Sequence, residues 1–232
     1  TDVGNLTSSS TRGRGTKAEL YGYRCGSNSS VTDRIDKHSY VSGGDATDVG
    51  NMYSGRGRAS SQSEASYGWI SAGGDAPNTV NILEKHSFVS DGDATDVADA
   101  SYITEACGGT NSTTHGYIAR GTGYTPSHTG ALDYIQKFAF ASTSNTTNVA
   151  TCTTDASSFA GTSSLTHGYH HGGGVVDIIE KFQFSTDGNA TDVGNLNTGL
   201  YALSGCCSTT HGYCTGGYSA TNVIQKYSYT TD

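Results

Sequence analysis

The 232-residue chain contains little proline and little charge. It has 2 prolines, and charged residues make up 15% of the sequence against 34% hydrophobic residues. Disordered chains usually combine high charge with few aromatic residues. Here 15 tyrosines recur along a chain of low charge, so we expect a folded protein. No apolar run approaches the roughly 18 residues of a membrane-spanning helix, and membrane insertion is not expected.

Basic residues are outnumbered. The 13 lysines and arginines face 21 aspartates and glutamates, which gives a net charge of −8. An acidic surface repels phosphate backbones, so a nucleic-acid partner is not expected.

Paired cysteines of the Cys-x-x-Cys type are absent, which argues against a structural zinc site. Cys207 and Cys214 flank a short segment and are placed to form a disulfide across a hairpin, but we favour free, buried thiols for all six cysteines. His170 and His171 are neighbours and face opposite sides of a strand. No thiols or carboxylates complete a ligand set at suitable spacing, so we predict no metal site and no cofactor.

Three landmarks recur in a fixed order. The hexad Thr-Asp-Val-Gly-Asn-Leu, or a close variant, occupies residues 1–6, 47–52, 95–100 and 191–196, with a degraded copy at 147–150. Gly-Tyr or Gly-Trp stands at 22–23, 68–69, 116–117, 168–169 and 212–213. The third landmark is an apolar-polar-Lys-aromatic run around Lys37, Lys85, Lys137, Lys181 and Lys226.

Each repeat is interpreted as a set of antiparallel strands. In the lysine run, Glu180, Phe182 and Phe184 share one face, which we expect to pack against the neighbouring unit. Pairs such as Asp-Gly at 187–188 then predict a tight turn, and the hexad forms the next strand. We expect the lysines to pair with an aspartate of an adjacent hexad as part of the scaffold; the candidates are Asp2, Asp48, Asp96 and Asp192.

The hexads begin 44 to 52 residues apart, which suits a four-stranded propeller blade. The sequence therefore predicts an all-β fold, a five-bladed β-propeller of repeats of about 46 residues, in one domain over residues 1–232. The chain begins with a hexad and ends with a lysine strand. Pairing of residues 1–6 with the C-terminal strand would complete the last blade and close the ring. The alternative is an arbitrary cut in a longer repeat array.

The order of the landmarks resembles the kelch repeat, in which a strand ending in Gly-Gly precedes an aromatic-bearing strand and an outer strand. Residues 68–74, the strand with Lys85 and Phe88, and Thr-Asp-Val at 95–97 follow that order. The chain lacks the tryptophan that kelch repeats carry on the outer strand, and five blades are fewer than the usual six or seven.

A longer likeness is to repeat-containing tail-fibre and appendage proteins of marine bacteriophages, especially those of cyanobacteria. It rests on residues 181–196, KFQFSTDGNATDVGNL, and on Thr-His-Gly-Tyr at 210–213. The likeness implies a virion or extracellular location and a structural or adhesive role, without catalytic residues.

Catalysis is not expected from the residues themselves. The chain has no Gly-x-Ser-x-Gly elbow, and no local, non-repeated acidic pair of the glycosidase type can be singled out. We therefore predict that the protein is not an enzyme.

Binding is the function that we expect. The first hypothesis is a non-enzymatic structural or adhesion propeller of a virion appendage or extracellular fibre, which contacts other structural proteins, copies of itself or a host surface. The alternative is a multivalent lectin for cell-surface glycans, in which weak sites on several repeats act together. The ligand-binding candidates are the aromatic residues that depart from the repeat average, namely Trp69, Tyr124, Tyr201 and Tyr218.

Overall fold

The computed structural model describes residues 2–27, 32–74, 79–125, 128–174, 176–218 and 222–230, without the side chains of residues 124, 125, 128 and 129. In these ranges the regular structure is antiparallel β-sheet throughout, and no helix is present. The described part of the chain thus contains no helix of the length and apolarity needed to cross a membrane. The strands form six small sheets, four with four strands and two with three. The all-β prediction is confirmed.

The first two repeats each form a four-stranded sheet. Repeat sheet 1 consists of β1 (Arg14–Lys17), β2 (Tyr21–Ser27), β3 (Thr32–Ser39) and β4 (Thr47–Asn51). Repeat sheet 2 consists of β5 (Ser60–Ser63), β6 (Tyr67–Ser71), β7 (Ile82–Ser87) and β8 (Thr95–Asp99). A short strand, β9 (Ile103–Glu105), follows in the chain.

The other three repeats form similar sheets. Repeat sheet 3 consists of β10 (Gly108–Asn111), β11 (His115–Ala119), β14 (Tyr134–Ala139) and β15 (Thr147–Thr151), and the hairpin of β12 (Thr122–Thr125) and β13 (His128–Ala131) is inserted between its second and third strands. Repeat sheet 4 consists of β16 (Ala160–Ser163), β17 (His167–His171), β18 (Ile178–Gln183) and β19 (Thr191–Asn195). Repeat sheet 5 has three strands, β20 (Ser204–Cys207), β21 (His211–Thr215) and β22 (Ile224–Ser228).

The described chain divides into two compact units. The first comprises Thr1–Glu105 and Thr143–Asn145, and the second comprises Ala106–Ser142 and Thr146–Asp232. Repeat sheets 1 and 2 lie in the first unit. Repeat sheets 3 to 5 and the β12–β13 hairpin lie in the second.

The three landmarks become three successive strands. Gly-Tyr lies on the second strand of each repeat sheet and the lysine run on the third, and the hexad forms the fourth strand of repeat sheets 1 to 4. The segment between each hexad and the next Gly-Tyr or Gly-Trp pair contains the short first strand. The tight turn between the third and fourth strands is confirmed by the positive φ of Asp91 (54°) and Asp187 (51°).

The expected number of sheets was wrong. A sixth sheet exists because the longest repeat carries the β12–β13 insertion. Repeat sheet 5 has three strands among the described residues, and residues 2–6 are assigned to no strand. Residues 2–6 contact the turn of repeat sheet 1, where Gly44 N–H donates to the Val3 carbonyl at 2.7 Å and Ala46 N–H to the Asn5 carbonyl at 2.8 Å. The hexad at 47–52 contacts the turn of repeat sheet 2 in the same way, through the carbonyls of Val49 and Asn51.

Within each unit, the hydrophobic core lies between successive repeat sheets. In the second unit, the Tyr117 ring of repeat sheet 3 stacks on Phe184 of repeat sheet 4, with centroids 5.0 Å apart, and meets Phe182 edge-on at 5.2 Å. In the first unit, Tyr23 stacks on Phe88 at 5.0 Å in the same way. The expectation that the Phe182 face packs against a neighbouring repeat is thus confirmed.

The lysine strand is buried on both faces. Ile179 and Glu180 are adjacent in sequence and point to opposite sides, beside His171 and His170 respectively, and both are buried. A register shift relative to β19 falls between these two residues, because Val193 is an extra residue on the hexad strand and forms a β-bulge there. The same shift separates Ile35 from Asp36 and Leu83 from Glu84.

The glycine of each Gly-Tyr pair lies beneath an aromatic ring of its own sheet. Gly168 stands directly opposite Phe182, and a Cβ at Gly168 would lie 2.4 Å from Phe182 Cε1. Glycine is therefore required by close approach of the ring.

We expect Gly168→Ala to lower the free energy of unfolding by about 1–3 kcal/mol, because the added methyl displaces the buried Phe182 ring. Urea denaturation followed by tyrosine fluorescence measures the change. Gly188→Ala is the matched control, since its Cβ would meet only Thr186 Oγ1, at 3.7 Å. Equal stability of the two variants would contradict the role of ring packing.

Candidate functional site

The structure places the four predicted ligand-binding aromatics in different environments. Trp69 is only 1% exposed and lies against the Lys85 ammonium, 5.2 Å from the ring centroid. It is a core residue and does not offer a face to a ligand. Tyr124 lies on β12, but its side chain is outside the described part. Tyr201 and Tyr218 remain, and the fold brings them together.

Tyr201 and Tyr218 form a stacked pair, which we call the tyrosine platform. Their ring centroids are 4.9 Å apart, with 24° between the ring planes. Tyr218 is 65% exposed, and Tyr201 is half-buried. Tyr218 N–H donates to the Tyr201 carbonyl at 2.8 Å, which ties the two backbone segments together.

The backbone segments that carry the tyrosine platform are anchored to the core between repeat sheets 4 and 5. Leu200 and Leu203, on either side of Tyr201, are buried members of this core. Gly217 allows the second segment to approach, since a Cβ there would lie 3.1 Å from Leu203 Cδ2 and 3.3 Å from Leu200 Cβ. The backbone of the platform is therefore anchored, and the exposed Tyr218 ring presents an aromatic face to solvent. Such a face suits the apolar C–H side of a sugar ring or a flat apolar group of a protein partner.

Two of the lysines, Lys37 and Lys137, form ion pairs, but not with the predicted partners. Lys37 Nζ lies 2.9 Å from Asp91, and Lys137 Nζ lies 2.8 Å from Asp187. Both aspartates belong to the turn of the next repeat sheet and not to a hexad. Lys37 stands opposite Thr47 in the β3–β4 register, so Asp48, the next residue of that hexad, points to the other face of the sheet.

A buried hydrogen-bond acceptor precedes every lysine. Each of these acceptor residues is at most 7% exposed: Asp36, Glu84, Gln136, Glu180 and Gln225. Within each unit, the residue that follows a hexad donates to the acceptor of the next repeat sheet. Tyr53 N–H donates to Glu84 at 2.5 Å, Thr153 N–H to Glu180 at 2.8 Å, and Asn197 N–H to Gln225 at 2.6 Å. In repeat sheet 1 the donor is the Thr7 hydroxyl, to Asp36.

The acidic acceptors are also paired with buried cations. Asp36 lies 3.3 Å from Arg24, and Glu84 lies 2.7 Å from Arg56. Glu180 lies 2.6 Å from Arg120, whose φ of 50° falls in the left-handed region. An uncompensated buried charge is costly, so removal of one partner from such a pair typically costs about 3–5 kcal/mol.

Repeat sheet 4 adds two further groups to this arrangement. His170 stands directly opposite Glu180 in the β17–β18 register, and its Nδ1 lies 3.4 Å from Glu180 Oε1. Cys152 Sγ lies 3.8 Å from the same Nδ1. The ligand atoms of Cys152, His170 and Glu180 all lie within 4.8 Å of one another, and all three residues are buried. These are residues that hold metal ions in proteins.

Burial controls the protonation of this cluster. It raises the pKa of the Cys152 thiol and lowers the pKa of His170, so the thiol and the neutral imidazole are favoured. Burial also opposes ionisation of Glu180, but the contacts with His170 and Arg120 outweigh it and hold the pKa of Glu180 well below its usual range. At Glu84, by contrast, burial raises the pKa, and Arg56 offsets only part of the effect.

Sequence reasoning missed the Cys152–His170–Glu180 cluster. It identified His170 and correctly placed His171 on the opposite side, where His171 Nδ1 lies 3.1 Å from the Tyr227 hydroxyl. It found no companion ligands because Cys152 belongs to the preceding repeat and Glu180 to another strand. The predicted antiparallel pairing of the His170 strand with the lysine run is the signal that could have brought His170 and Glu180 together.

The cysteines are free, as favoured from the sequence. Cys207 stands opposite Gly212 in the β20–β21 register and not opposite Cys214. Cys206 and Cys207 are exposed, so the expectation of burial was wrong for these two, and the other four are buried.

A scan against protein-family models finds no match to the chain. A search of the curated proteins also finds no match.

One buried histidine gives the fold a dependence on pH. His86 is 2% exposed, and its Nε2 lies 2.9 Å from Thr16 Oγ1. Burial lowers the pKa of His86 to about 4, although Asp91 acts in the opposite direction. An unfolded histidine, with a pKa of about 6.5, binds a proton at pH 5. Stability is therefore lost as the pH falls from about 6.5 toward 4.

We expect His86→Phe to remove part of this loss, because Phe138 and Phe182 occupy the same place in other repeats. Between pH 7 and pH 5, the free energy of unfolding of the native sequence should fall by about 2 kcal/mol more than that of the variant. Urea denaturation at the two pH values measures this difference. If the free energy of unfolding changed by the same amount with pH in the native sequence and in the variant, His86 would not be neutral in the folded state.

Proposed function

We propose that the protein is a non-enzymatic structural or adhesion module of a virion appendage or extracellular fibre, built as a five-bladed propeller of kelch-like repeats. The observation that carries the proposal is the repeated contact between successive repeat sheets. A Tyr ring stacks on an aromatic of the next sheet, as in Tyr117–Phe184, and the post-hexad residue donates to the next buried acceptor, as in Thr153–Glu180. Such nearest-neighbour packing is how blades and solenoid repeats are stabilised.

The burial of the carboxylates between repeats supports a scaffold role for the protein. The carboxylates of Asp36, Glu84 and Glu180 are fully buried and engaged with cations or backbone N–H groups. They contribute to contacts between repeats, where a substrate has no access to them. The location on a virion or fibre rests on the sequence likeness of residues 181–196 and 210–213 to phage appendage proteins.

Ring closure is tested by an engineered disulfide. By analogy with Arg34 opposite Asn51 in repeat sheet 1, a closed ring places Val223 opposite Asn5. We expect Asn5→Cys with Val223→Cys, in a Cys206→Ser/Cys207→Ser background, to form an intramolecular disulfide on mild oxidation. Mass spectrometry and a non-reducing gel measure the product.

The control for this experiment is Arg34→Cys with Asn51→Cys, which joins two strands of known register. A ladder of disulfide-linked oligomers, or free thiols under conditions in which the control pair is oxidised, would contradict closure and with it the five-bladed ring.

The second candidate function is multivalent glycan binding, and the tyrosine platform favours it. A stacked pair with an exposed ring is suited to stacking on a pyranose face. The lectin hypothesis and the adhesion hypothesis share a surface role but differ in the ligand, which is a saccharide in the first and a protein surface in the second.

We expect a glycan array to identify a saccharide ligand if the lectin hypothesis is correct, and Tyr218→Ala to weaken its affinity by about tenfold, because one stacking contact is lost. Calorimetric titration of the array hit measures the change. Tyr53→Ala is the matched control, since Tyr53 is also 65% exposed but lies in another repeat. Unchanged affinity in Tyr218→Ala would remove the tyrosine platform from the binding site, and an array without hits would leave protein contact as the function.

A further inference from the structure

We propose that Cys152, His170 and Glu180 bind one zinc ion. The ligand atoms are Cys152 Sγ, His170 Nδ1 and Glu180 Oε1, with Sγ–Nδ1 at 3.8 Å and Nδ1–Oε1 at 3.4 Å. Bond lengths of about 2.0–2.3 Å place neighbouring ligand atoms of a tetrahedral zinc site about 3.3–3.6 Å apart. The Sγ–Nδ1 and Nδ1–Oε1 distances are therefore close to the required spacing before any metal is added, and the sulfur and the carboxylate oxygen lie within 4.8 Å of each other. The site is independent of the proposed adhesive function.

The ligands are held by regular structure. His170 lies on β17 and Glu180 directly opposite it on β18. Cys152 immediately follows β15, and its N–H donates to the Asp133 carbonyl at 2.6 Å. All three residues belong to the second unit, and none is more than 6% exposed. Ligands fixed by strands lose little conformational entropy when a metal binds.

The Glu180 carboxylate is oriented by surrounding donors in the manner of a metal ligand. Its Oε2 accepts from Thr153 N–H at 2.8 Å and from the Thr153 hydroxyl at 2.7 Å. Arg120 lies 2.6 Å from Oε1. A carboxylate offers about four acceptor positions, so one position on Oε1 remains, on the His170 side. Outer groups of this kind orient metal-bound carboxylates.

The cluster is not part of the common repeat. Residues at the place of Cys152 are Met52 and Leu196, which are core residues. Those at the place of His170 are Arg24, Ile70, Ile118 and Cys214, of which Arg24 also pairs with the buried acceptor of its own sheet, Asp36. Scaffold positions are filled alike in several repeats, whereas a thiol, an imidazole and a carboxylate meet only in repeat sheets 3 and 4 among the described residues.

The binding step is balanced by the loss of one proton. The Cys152 thiol releases its proton to solvent as the sulfur–zinc bond forms, and neutral His170 and ionised Glu180 bind without a further change. The thiolate and carboxylate together balance the charge of Zn²⁺, and the buried Arg120 charge is then uncompensated, so zinc binding has to outweigh that cost. Three protein ligands leave one coordination position for water. The competing arrangement is the metal-free one, in which Arg120 interacts with both Glu180 and the Cys152 thiol.

Cobalt(II) provides the direct probe, because a cobalt–thiolate bond absorbs in the near ultraviolet. The experiment uses the full chain after chelator treatment, in a Cys206→Ser/Cys207→Ser background that removes the exposed thiols. We expect one equivalent of cobalt to produce the absorption, zinc to displace it, and zinc to raise the melting temperature. Proton release on zinc binding, measured with a pH indicator, should be one per site.

Two variants and one control decide the outcome. Cys152→Ser should abolish the absorption, and so should His170→Ile, which installs the residue found in other repeats. Cys25→Ser is the control and should retain it. Cys25 Sγ lies 3.8 Å from His86 Nε2, but among the described residues no third ligand group lies close enough to share a metal with them. No absorption at saturating cobalt, or an absorption that survives Cys152→Ser, would overturn the proposal in favour of the metal-free arrangement.

Discussion

The buried acceptor at the start of each lysine run is the constraint on which the rest of the structure depends. Asp36, Glu84 and Glu180 are fully buried, and each accepts a hydrogen bond from the residue that follows a preceding hexad. A buried carboxylate without donors would cost several kcal/mol. The acceptor therefore requires both a cation and the neighbouring repeat, and this requirement fixes how one sheet lies on the next.

The packing between repeats follows from this contact. A single sheet of three or four short strands has too little apolar surface to be stable alone. Stacking Tyr23 on Phe88, or Tyr169 on Tyr229, buries aromatic area that belongs to two repeats at once. The lysine-to-turn ion pairs join the same neighbours at the periphery. Glycine at positions such as 168 keeps the ring of the third strand close to the second strand, so that the aromatic layer is thin and continuous.

Residues that differ from their equivalents in the other repeats mark the candidate functional sites, whereas residues that the repeats share form the scaffold. Arg120 occupies a left-handed position that is Gly172 in the following repeat, and its backbone strain is offset by the ion pair with Glu180. Cys152 and His170 stand beside that ion pair, at places that hold apolar residues in repeat sheet 2, Met52 and Ile70. Tyr201 and Tyr218 form a stacked pair with an exposed ring. The cluster around Glu180 thus concentrates polar groups inside the protein, whereas the tyrosine platform presents an aromatic surface to solvent.

The sequence by itself determined the strand composition, the order of the landmarks and the turn after each lysine run, because alternation, Asp-Gly pairs and repeat spacing are local properties. It also singled out Tyr201 and Tyr218. Tertiary structure alone decided that these two rings stack, that Trp69 is buried, that Lys37 reaches Asp91, and that Cys152 and Glu180 meet at His170. These contacts join residues that lie far apart in the sequence, and their distances depend on register, bulges and packing between sheets, which no local pattern encodes.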